Sequence, residues 1–123
     1  MSACIAVTNL TRGRSVGSRV RLADKWWSRL RGLLGRSPLS AGEGLMLVPC
    51  RAVHMFGMRY PVDVAFMDGA GTVVATYHRL APGSRSKWHR RAVAALEVPA
   101  GTLATTETGA GDALTWHPSP EAS

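Results

Sequence analysis

Short apolar runs that alternate with polar residues, and that end at glycine or proline, constrain the fold of this chain most strongly. The clearest run covers residues 61–67 and places valine or phenylalanine at every second position. The turn sequence Asp-Gly-Ala-Gly at residues 68–71 separates it from a second apolar run over residues 72–77. A period of two is typical of a strand, and two such runs around a glycine-containing turn predict a β-hairpin.

The same pattern predicts further strands along the chain. Residues 4–10 and 16–22 flank a turn that contains Gly13, which predicts a second hairpin. The other predicted strands cover residues 45–48, 52–56, 92–98 and 113–116. Many short strands indicate an α+β, mostly β fold class: a small barrel-like domain with an antiparallel or mixed sheet. The sequence Gly-Ala-Gly-Asp at residues 109–112 predicts a tight turn into the last strand, with Asp112 bonded to the turn backbone.

One amphipathic helix is predicted early in the chain, over residues 24–35. Asp24 can cap its first turn, and Gly35 stands at its end, where a left-handed residue is common. The apolar residues between them fall at helical spacing on one stripe: Trp26, Leu30, Leu33 and Leu34. We expect this stripe to pack into the core.

Length and composition restrict the class of protein. A chain of 123 residues is expected to form one domain, here residues 1–116, with a flexible tail over residues 117–123. A hydrophobic content of 46% excludes intrinsic disorder, and no apolar run approaches the ~20 residues of a membrane helix. The sequence has no signal-peptide pattern and only two cysteines, too few for a disulfide scaffold. We therefore expect a cytoplasmic protein.

The net charge of +7 is concentrated in two basic blocks. Residues 1–36 hold eight arginines and lysines and one aspartate, and residues 79–91 hold five with no acid. Candidate residues for binding an anion or nucleic acid lie in the second block: Arg79, Arg85, Lys87, Trp88, Arg90 and Arg91. An aromatic ring among cations suits stacking on a base with contacts to phosphate. The loop fits an acidic protein surface equally well, or a solvated surface with Trp88 against the barrel end.

Six motifs in a fixed order resemble a known family. They are RGLLGR at 31–36, GLML at 44–47, MR at 58–59, PVDVAFMD at 61–68, LEVPAG at 96–101 and GAGD at 109–112. Over residues 16–116 this series is similar to the bacterial and archaeal "domain of unknown function 192" family. The resemblance implies a single small domain with a mainly β, barrel-like fold and an early helix. It implies no reaction, no cofactor and no catalytic residue.

The sequence departs from the commoner family pattern in two respects. That pattern has an aromatic-Trp-Met-Lys-Asn-Thr stretch before Pro-Leu-Asp, whereas here residues 56–60 lead directly to Pro61. Many members also carry an export signal, which is not expected here. The chain is more similar to a subgroup with a cysteine and a Val-His pair before Gly-Met-Arg.

Four polar residues near these motifs are candidates for lining a ligand groove: Cys50, His54, Arg59 and Asp63. If the valines on either side of Asp63 face the core, Asp63 points to the opposite side, toward a groove or solvent. There it could act as a general base or ligand anchor beside Arg59. Alternatively, it could accept backbone amides or form an ion pair.

Cys50 and His54 are four residues apart, which on a continuous strand separates them by ~13 Å. On a turn they could meet, so that the imidazole activates the thiolate, or so that both bind a soft metal together with Met55 or Met58. The alternative is a buried cysteine and a hydrogen-bonded histidine. No spacing typical of a zinc site occurs, and we expect no resident metal and no cofactor.

These observations predict a non-enzymatic binding domain with a polar groove near Arg59 and Asp63 and a basic loop over residues 85–91. The partners considered are an anionic small molecule, an acidic protein surface and nucleic acid. The first alternative is a small enzyme that uses Cys50 and His54, or Asp63. The second is a nucleic-acid-binding accessory protein.

Overall fold

The structure is a computed structural model that describes residues 4–24 and 38–119. Seven strands and one short helix form within these residues. In chain order they are β1 (Cys4–Asn9), β2 (Arg14–Ala23), β3 (Glu43–Leu47), β4 (Val62–Met67), β5 (Val73–Leu80), β6 (Ala94–Pro99), α1 (Thr102–Thr105) and β7 (Leu114–Pro118).

All seven strands join one sheet in the order β5-β4-β6-β3-β2-β1-β7. Strands β2 and β3 pair in parallel, and the other neighbours are antiparallel. The predicted mostly β class with a mixed, barrel-like sheet is confirmed: the sheet curls into a half-barrel. Both predicted hairpins form, one from β1 and β2 and the other from β4 and β5.

The two edge strands meet at one end of the curled sheet. Thr72 and Ala113 form a bridge there, and the N–H of Leu114 donates to the carbonyl of Gly71 at 2.9 Å. Gly71 has a φ of +87°, and a Cβ at this position would lie 2.5 Å from the Leu114 carbonyl oxygen. The seam between the edges therefore requires glycine at residue 71, because any side chain would push the two strands apart.

A network around Asp112 fixes the turn that leads into β7. Its carboxylate accepts hydrogen bonds from the Asn9 side chain and from the Gly109 N–H, both at 3.0 Å. Arg12 forms a salt bridge with the same oxygen at 3.3 Å. The Asn9 hydrogen bond, followed by that of Gly109, lowers the pKa of Asp112 below its ordinary value. The predicted tight turn is present, and its aspartate also ties β7 to the β1–β2 hairpin.

Each face of the sheet has its own core. The inner core contains side chains from most of the strands and from α1, including Val7, Val20, Met46, Met67, Leu96 and Leu103. The outer core lies under the connection between β3 and β4, which contributes Val53 and Met55. Every residue of β4 is buried because this strand lies between the two cores. Full burial of one apolar side chain of this size contributes roughly 1.5–3 kcal/mol.

The strand predicted over residues 52–56 does not form; only His54 makes an isolated bridge, to Arg85. The alternation arises because Val53 and Met55 pack onto the outer core, while the backbone bonds only at intervals with residues 84–89. At the other end of the chain, β7 continues to Pro118, and Ser119 is buried with its N–H bonded to Cys4. Residues 117 and 118, expected in the tail, thus belong to the sheet, and Ser119 is bonded to its neighbouring strand.

Of the amphipathic helix predicted over residues 24–35, residues 25–35 lie outside the described part of the chain, so the helix stays a prediction. The helix found in the described residues is α1, which is four residues long and lies between β6 and β7.

Asp63 lies on the inner side of β4 and is completely buried. Its carboxylate accepts three backbone N–H groups: Arg79 at 2.8 Å, Gly101 at 3.0 Å and Leu103 at 2.9 Å. Arg79 and Gly101 both have positive φ, at 53° and 97°. A positive φ is unfavourable for arginine, so Asp63 stabilises a strained end of β5 as well as the start of α1.

We predict that Asp63→Ala lowers the free energy of unfolding by on the order of 3 kcal/mol, because three buried or half-buried donors lose their acceptor. Urea unfolding of the purified protein measures this change. Asp68→Ala is the matched control, since Asp68 also accepts two backbone N–H groups, but in a turn near solvent. Equal losses in the two variants would contradict a special role for the buried carboxylate.

Candidate binding groove

An open groove of about 400 Å³ lies beside β5 and the loop that joins β5 to β6. Its lining residues are Val74, Trp88, His89, Arg90 and Arg91. The Trp88 side chain is 69% exposed, and both arginines are exposed. None of the five lining residues is acidic. The groove thus combines an accessible indole ring with two guanidinium groups.

Backbone hydrogen bonds hold the loop that carries these side chains. The N–H of His89 donates to the carbonyl of Arg51 at 2.8 Å, and the N–H of Ser86 donates to that of Val53 at 2.9 Å. The Ser86 hydroxyl also accepts the Val53 N–H at 3.0 Å. The N–H of Lys87 donates to the Tyr77 hydroxyl at 3.0 Å. The β3–β4 connection and β5 therefore fix the loop on both sides.

His89 forms the wall of the groove against the outer core. Its ring centroid lies 4.6 Å from that of Phe66, and its Nε2 lies 2.7 Å from the Tyr77 hydroxyl. Burial, and then the charge of Lys87, lower the pKa of His89 below its ordinary value. The Tyr77 hydroxyl can donate to His89 Nε2 while its oxygen accepts the Lys87 N–H. The lowered pKa favours a neutral imidazole.

Three of the six residues predicted to bind an anion line the groove, namely Trp88, Arg90 and Arg91. Lys87 precedes them and is exposed, but Arg79 and Arg85 are not among the lining residues. The sequence prediction missed Val74 and His89. His89 was visible between Trp88 and Arg90, but its contact with Tyr77 spans twelve residues and has no sequence signal.

The four residues predicted to line a polar groove do not line a common groove in the structure. Asp63 lies on the side of β4 opposite to Val62 and Val64, as alternation requires, but that side is the buried interior of the half-barrel. Arg59 and His54 are exposed. The salt bridges within residues 4–24 and 38–119 do not include one between Arg59 and Asp63.

Cys50 is half-buried beside the outer core, and its thiol donates to the carbonyl of Ala52 at 3.2 Å. His54 instead faces outward at its bridge with Arg85. No hydrogen bond between the Cys50 thiol and the His54 imidazole is found in the described residues.

Glu97 is a candidate that the sequence prediction missed. It is 6% exposed on the outer side of β6, where its register partners on the neighbouring strands are Leu45 and Val64. Burial raises the pKa of this carboxyl to about 7. The signal in the sequence was a single acidic residue inside the apolar run of residues 92–98.

Within residues 4–24 and 38–119, no cluster of three or more His, Cys, Asp or Glu side chains has the arrangement of a metal site. In the same residues, no helix has the length and apolar character needed to cross a membrane.

Comparisons with known proteins place the chain in a family. The model of the DUF192 family, described as "Uncharacterized ACR", matches residues 7–116. A UPF0127 protein of Thermococcus kodakarensis is 30% identical over 124 residues, which cover 94% of this chain and 75% of the relative.

Two solved structures share the fold. A protein of unknown function from Novosphingobium aromaticivorans has a TM-score of 0.79 at 24% identity, with 92% of this chain and 84% of that chain covered. A protein from Sinorhizobium meliloti, named as a candidate transcription regulator, has a TM-score of 0.78 at 22% identity, with 94% of both chains covered. Identities this low show the fold alone. Because the family model covers most of the sequence, the chain belongs to the DUF192 family of uncharacterised proteins.

Proposed function

We propose that this protein is a binding domain for a small anionic ligand that carries a flat ring, and that the groove beside Trp88 is its binding site. The observation that carries the proposal is the exposed indole of Trp88 next to Arg90 and Arg91 in a groove without an acidic lining residue. Its volume of about 400 Å³ lies within the range of ligand sites, roughly 300–1,000 Å³.

The chemistry of the lining residues defines the ligand class. Guanidinium groups bind phosphate or carboxylate through paired N–H donors, and an indole stacks on a flat ring for roughly 1–3 kcal/mol. The neutral His89 imidazole adds an aromatic wall rather than a third charge. A nucleotide combines both required features, and the net charge of +7 favours its approach.

Single-stranded nucleic acid is the alternative occupant of the same groove. A strand would extend past the groove to Lys87 and Arg85, which precede it on the loop. The Sinorhizobium meliloti protein that shares this fold is named as a candidate transcription regulator, and this name is the reason for testing nucleic acid as a ligand. An acidic protein surface is the third possible partner and would use the same arginines.

A cytoplasmic location and a single domain over residues 1–116 belong to this proposal. Cys4 and Cys50 are not joined by a disulfide bond, as is usual in a reducing compartment. The single sheet that joins β1 to β7 supports one folding unit.

We predict that adenosine 5′-monophosphate binds more tightly than either adenosine or inorganic phosphate, because it alone engages both the indole and the guanidinium groups. Fluorescence titration and thermal unfolding measure the affinities. The double variant Arg90→Gln/Arg91→Gln should weaken binding at least tenfold, as the loss of two charge-assisted contacts requires.

The matched control is Arg19→Gln/Arg59→Gln, which removes the same charge from two exposed arginines outside the groove and should leave the affinity within about twofold, since only long-range attraction changes. If both double variants weaken binding equally, the loss of affinity is due to the change in net charge, and this result would contradict binding in the groove. Ten-nucleotide oligothymidine provides a second arm. If it binds far more tightly than the mononucleotide with a steep dependence on salt, the nucleic-acid alternative replaces the proposal.

The enzyme alternative makes a separate prediction at Cys50. Its thiol donates to the Ala52 carbonyl, a bond that only the protonated form can make. In a Cys4→Ser background, iodoacetamide at pH 7 should therefore modify Cys50 about tenfold more slowly in folded protein than in urea. Mass spectrometry follows the reaction. Modification faster than that of free cysteine would instead reveal an activated thiolate and support the enzyme.

A further inference from the structure

Two tight turns lie side by side next to the outer core, outside the groove. The first covers residues 55–58. The N–H of Met58 donates to the carbonyl of Met55 at 3.1 Å, and Gly57 has a φ of +80°. A positive φ at the third residue is typical of a type II turn, so Phe56 stands at the corner.

The second turn, over residues 81–84, has the same type. Pro82 stands at its corner, and Gly83 follows with a φ of +82°. The closing hydrogen bond runs from the N–H of Ser84 to the carbonyl of the first residue of the turn at 3.1 Å. The N–H of Gly83 also donates to the carbonyl of Met55 at 2.9 Å, which joins the two turns.

The corners of these two turns are apolar and exposed. We call residues 55–58 and 81–84 together the paired turns. Phe56 is 80% exposed, the largest fraction of any large apolar side chain in the described residues. Ala81 and Pro82 are exposed on the neighbouring turn. None of these three side chains can form a hydrogen bond with water, so an apolar environment is favourable for all of them.

The backbone holds Phe56 away from the core. Met55, immediately before it, is 1% exposed in the outer core, and its N–H donates to the carbonyl of Ser84 at 2.7 Å. Both turns are therefore anchored at the residues next to their corners. An apolar ring on a fixed backbone loses little entropy when it enters an apolar phase.

Positive charge accompanies both corners. Arg59 stands three residues after the corner of the first turn, Arg85 stands three residues after the corner of the second, and both are exposed. The surrounding sequence, residues 44–62 and 69–96, contains no acidic residue. Within the described part of the chain, neither arginine takes part in an ion pair. Both guanidinium groups are therefore available to an anionic partner.

An anionic lipid bilayer matches this combination better than a folded partner protein. The apolar part consists of two exposed turn corners, which a bilayer accepts without a shaped pocket. Binding at a membrane surface adds the burial of apolar side chains to the attraction between basic residues and anionic lipids. The paired turns offer both contributions within a few residues of each other.

We propose that the paired turns bind the surface of an anionic lipid bilayer, with Phe56 inserted below the headgroups and with Arg59 and Arg85 on lipid phosphates. The paired turns share no residue with the groove, which is lined by Val74 and residues 88–91. Failure of this proposal would therefore leave the proposed function unaffected.

The test is co-sedimentation of the full chain with two kinds of vesicle, phosphatidylcholine alone and phosphatidylcholine mixed with phosphatidylglycerol. The protein should bind the anionic vesicles at least tenfold more tightly than the neutral ones, because only the anionic lipid attracts the arginines. No binding to the anionic vesicles, or equal binding to both kinds, overturns the proposal.

Phe56→Ser separates insertion from electrostatic attraction, and it leaves the core intact because the side chain is exposed. The variant should bind anionic vesicles at least tenfold more weakly, since the ring no longer transfers from water. Leu10→Ser, at an exposed leucine on the opposite side of the chain order, is the matched control and should keep the affinity within about twofold. Equal affinities of the two variants would show that the paired turns do not insert.

Charge reversal tests the contacts with lipid phosphates. Arg59→Glu and Arg85→Glu should each weaken binding at least tenfold, whereas Arg19→Glu, at an exposed position of β2, should weaken it less than about threefold. If all three variants lose the same affinity, only net charge matters, and binding through the paired turns is contradicted.

A second copy of the chain is the other occupant to test, by size-exclusion chromatography without lipid. The original protein and Phe56→Ser should elute at the same volume. If the original protein elutes as a dimer and Phe56→Ser as a monomer, the paired turns are a contact between copies and the proposal fails.

Discussion

The buried carboxylate of Asp63 connects three segments of the fold that are separated in the sequence: β4, the end of β5 and the start of α1. It binds the backbone at the end of β5 and at the start of α1, 16 and 40 residues away from itself. One of its three donors is the N–H of Arg79, whose positive φ is otherwise unfavourable for a residue with a side chain. Because Asp63 accepts these N–H groups inside the core, α1 is held where Leu103 packs into the inner core.

How much of this could be predicted depended on the range of each interaction. The hairpin of β4 and β5 was predicted because alternation and a glycine-containing turn are local properties of residues 61–77. The direction of Asp63, away from Val62 and Val64, was also predicted. That this direction leads into the protein was not, because it depends on the curling of the whole sheet and on the second core above β4. In residues 52–56, by contrast, the alternation that predicted a strand reflects packing on the outer core, without a continuous ladder of backbone hydrogen bonds.

The candidate site residues differ in the same way: some could be identified from the local sequence, and others depend on contacts between distant segments. The local sequence was enough to identify Trp88, Arg90 and Arg91, because cations beside an aromatic residue are visible in the linear sequence. Glu97 was hidden, since a single glutamate in an apolar run indicates nothing until the register shows which strands flank it. Cys50 and His54 were chosen for their spacing. Spacing could not reveal that the thiol bonds to Ala52 while the imidazole faces outward at the Arg85 bridge.

The loop that carries the groove is fixed before any ligand arrives. Its backbone is bonded to Arg51 and Val53 on one side and to the Tyr77 hydroxyl on the other, so a ligand would have to order only the side chains of Trp88, Arg90 and Arg91. Fixing the backbone in advance reduces the entropy lost on binding. The groove offers positive charge and an aromatic surface near solvent. Because charges that are open to solvent are screened by salt, the exposed groove suits an anion bound with marked salt dependence.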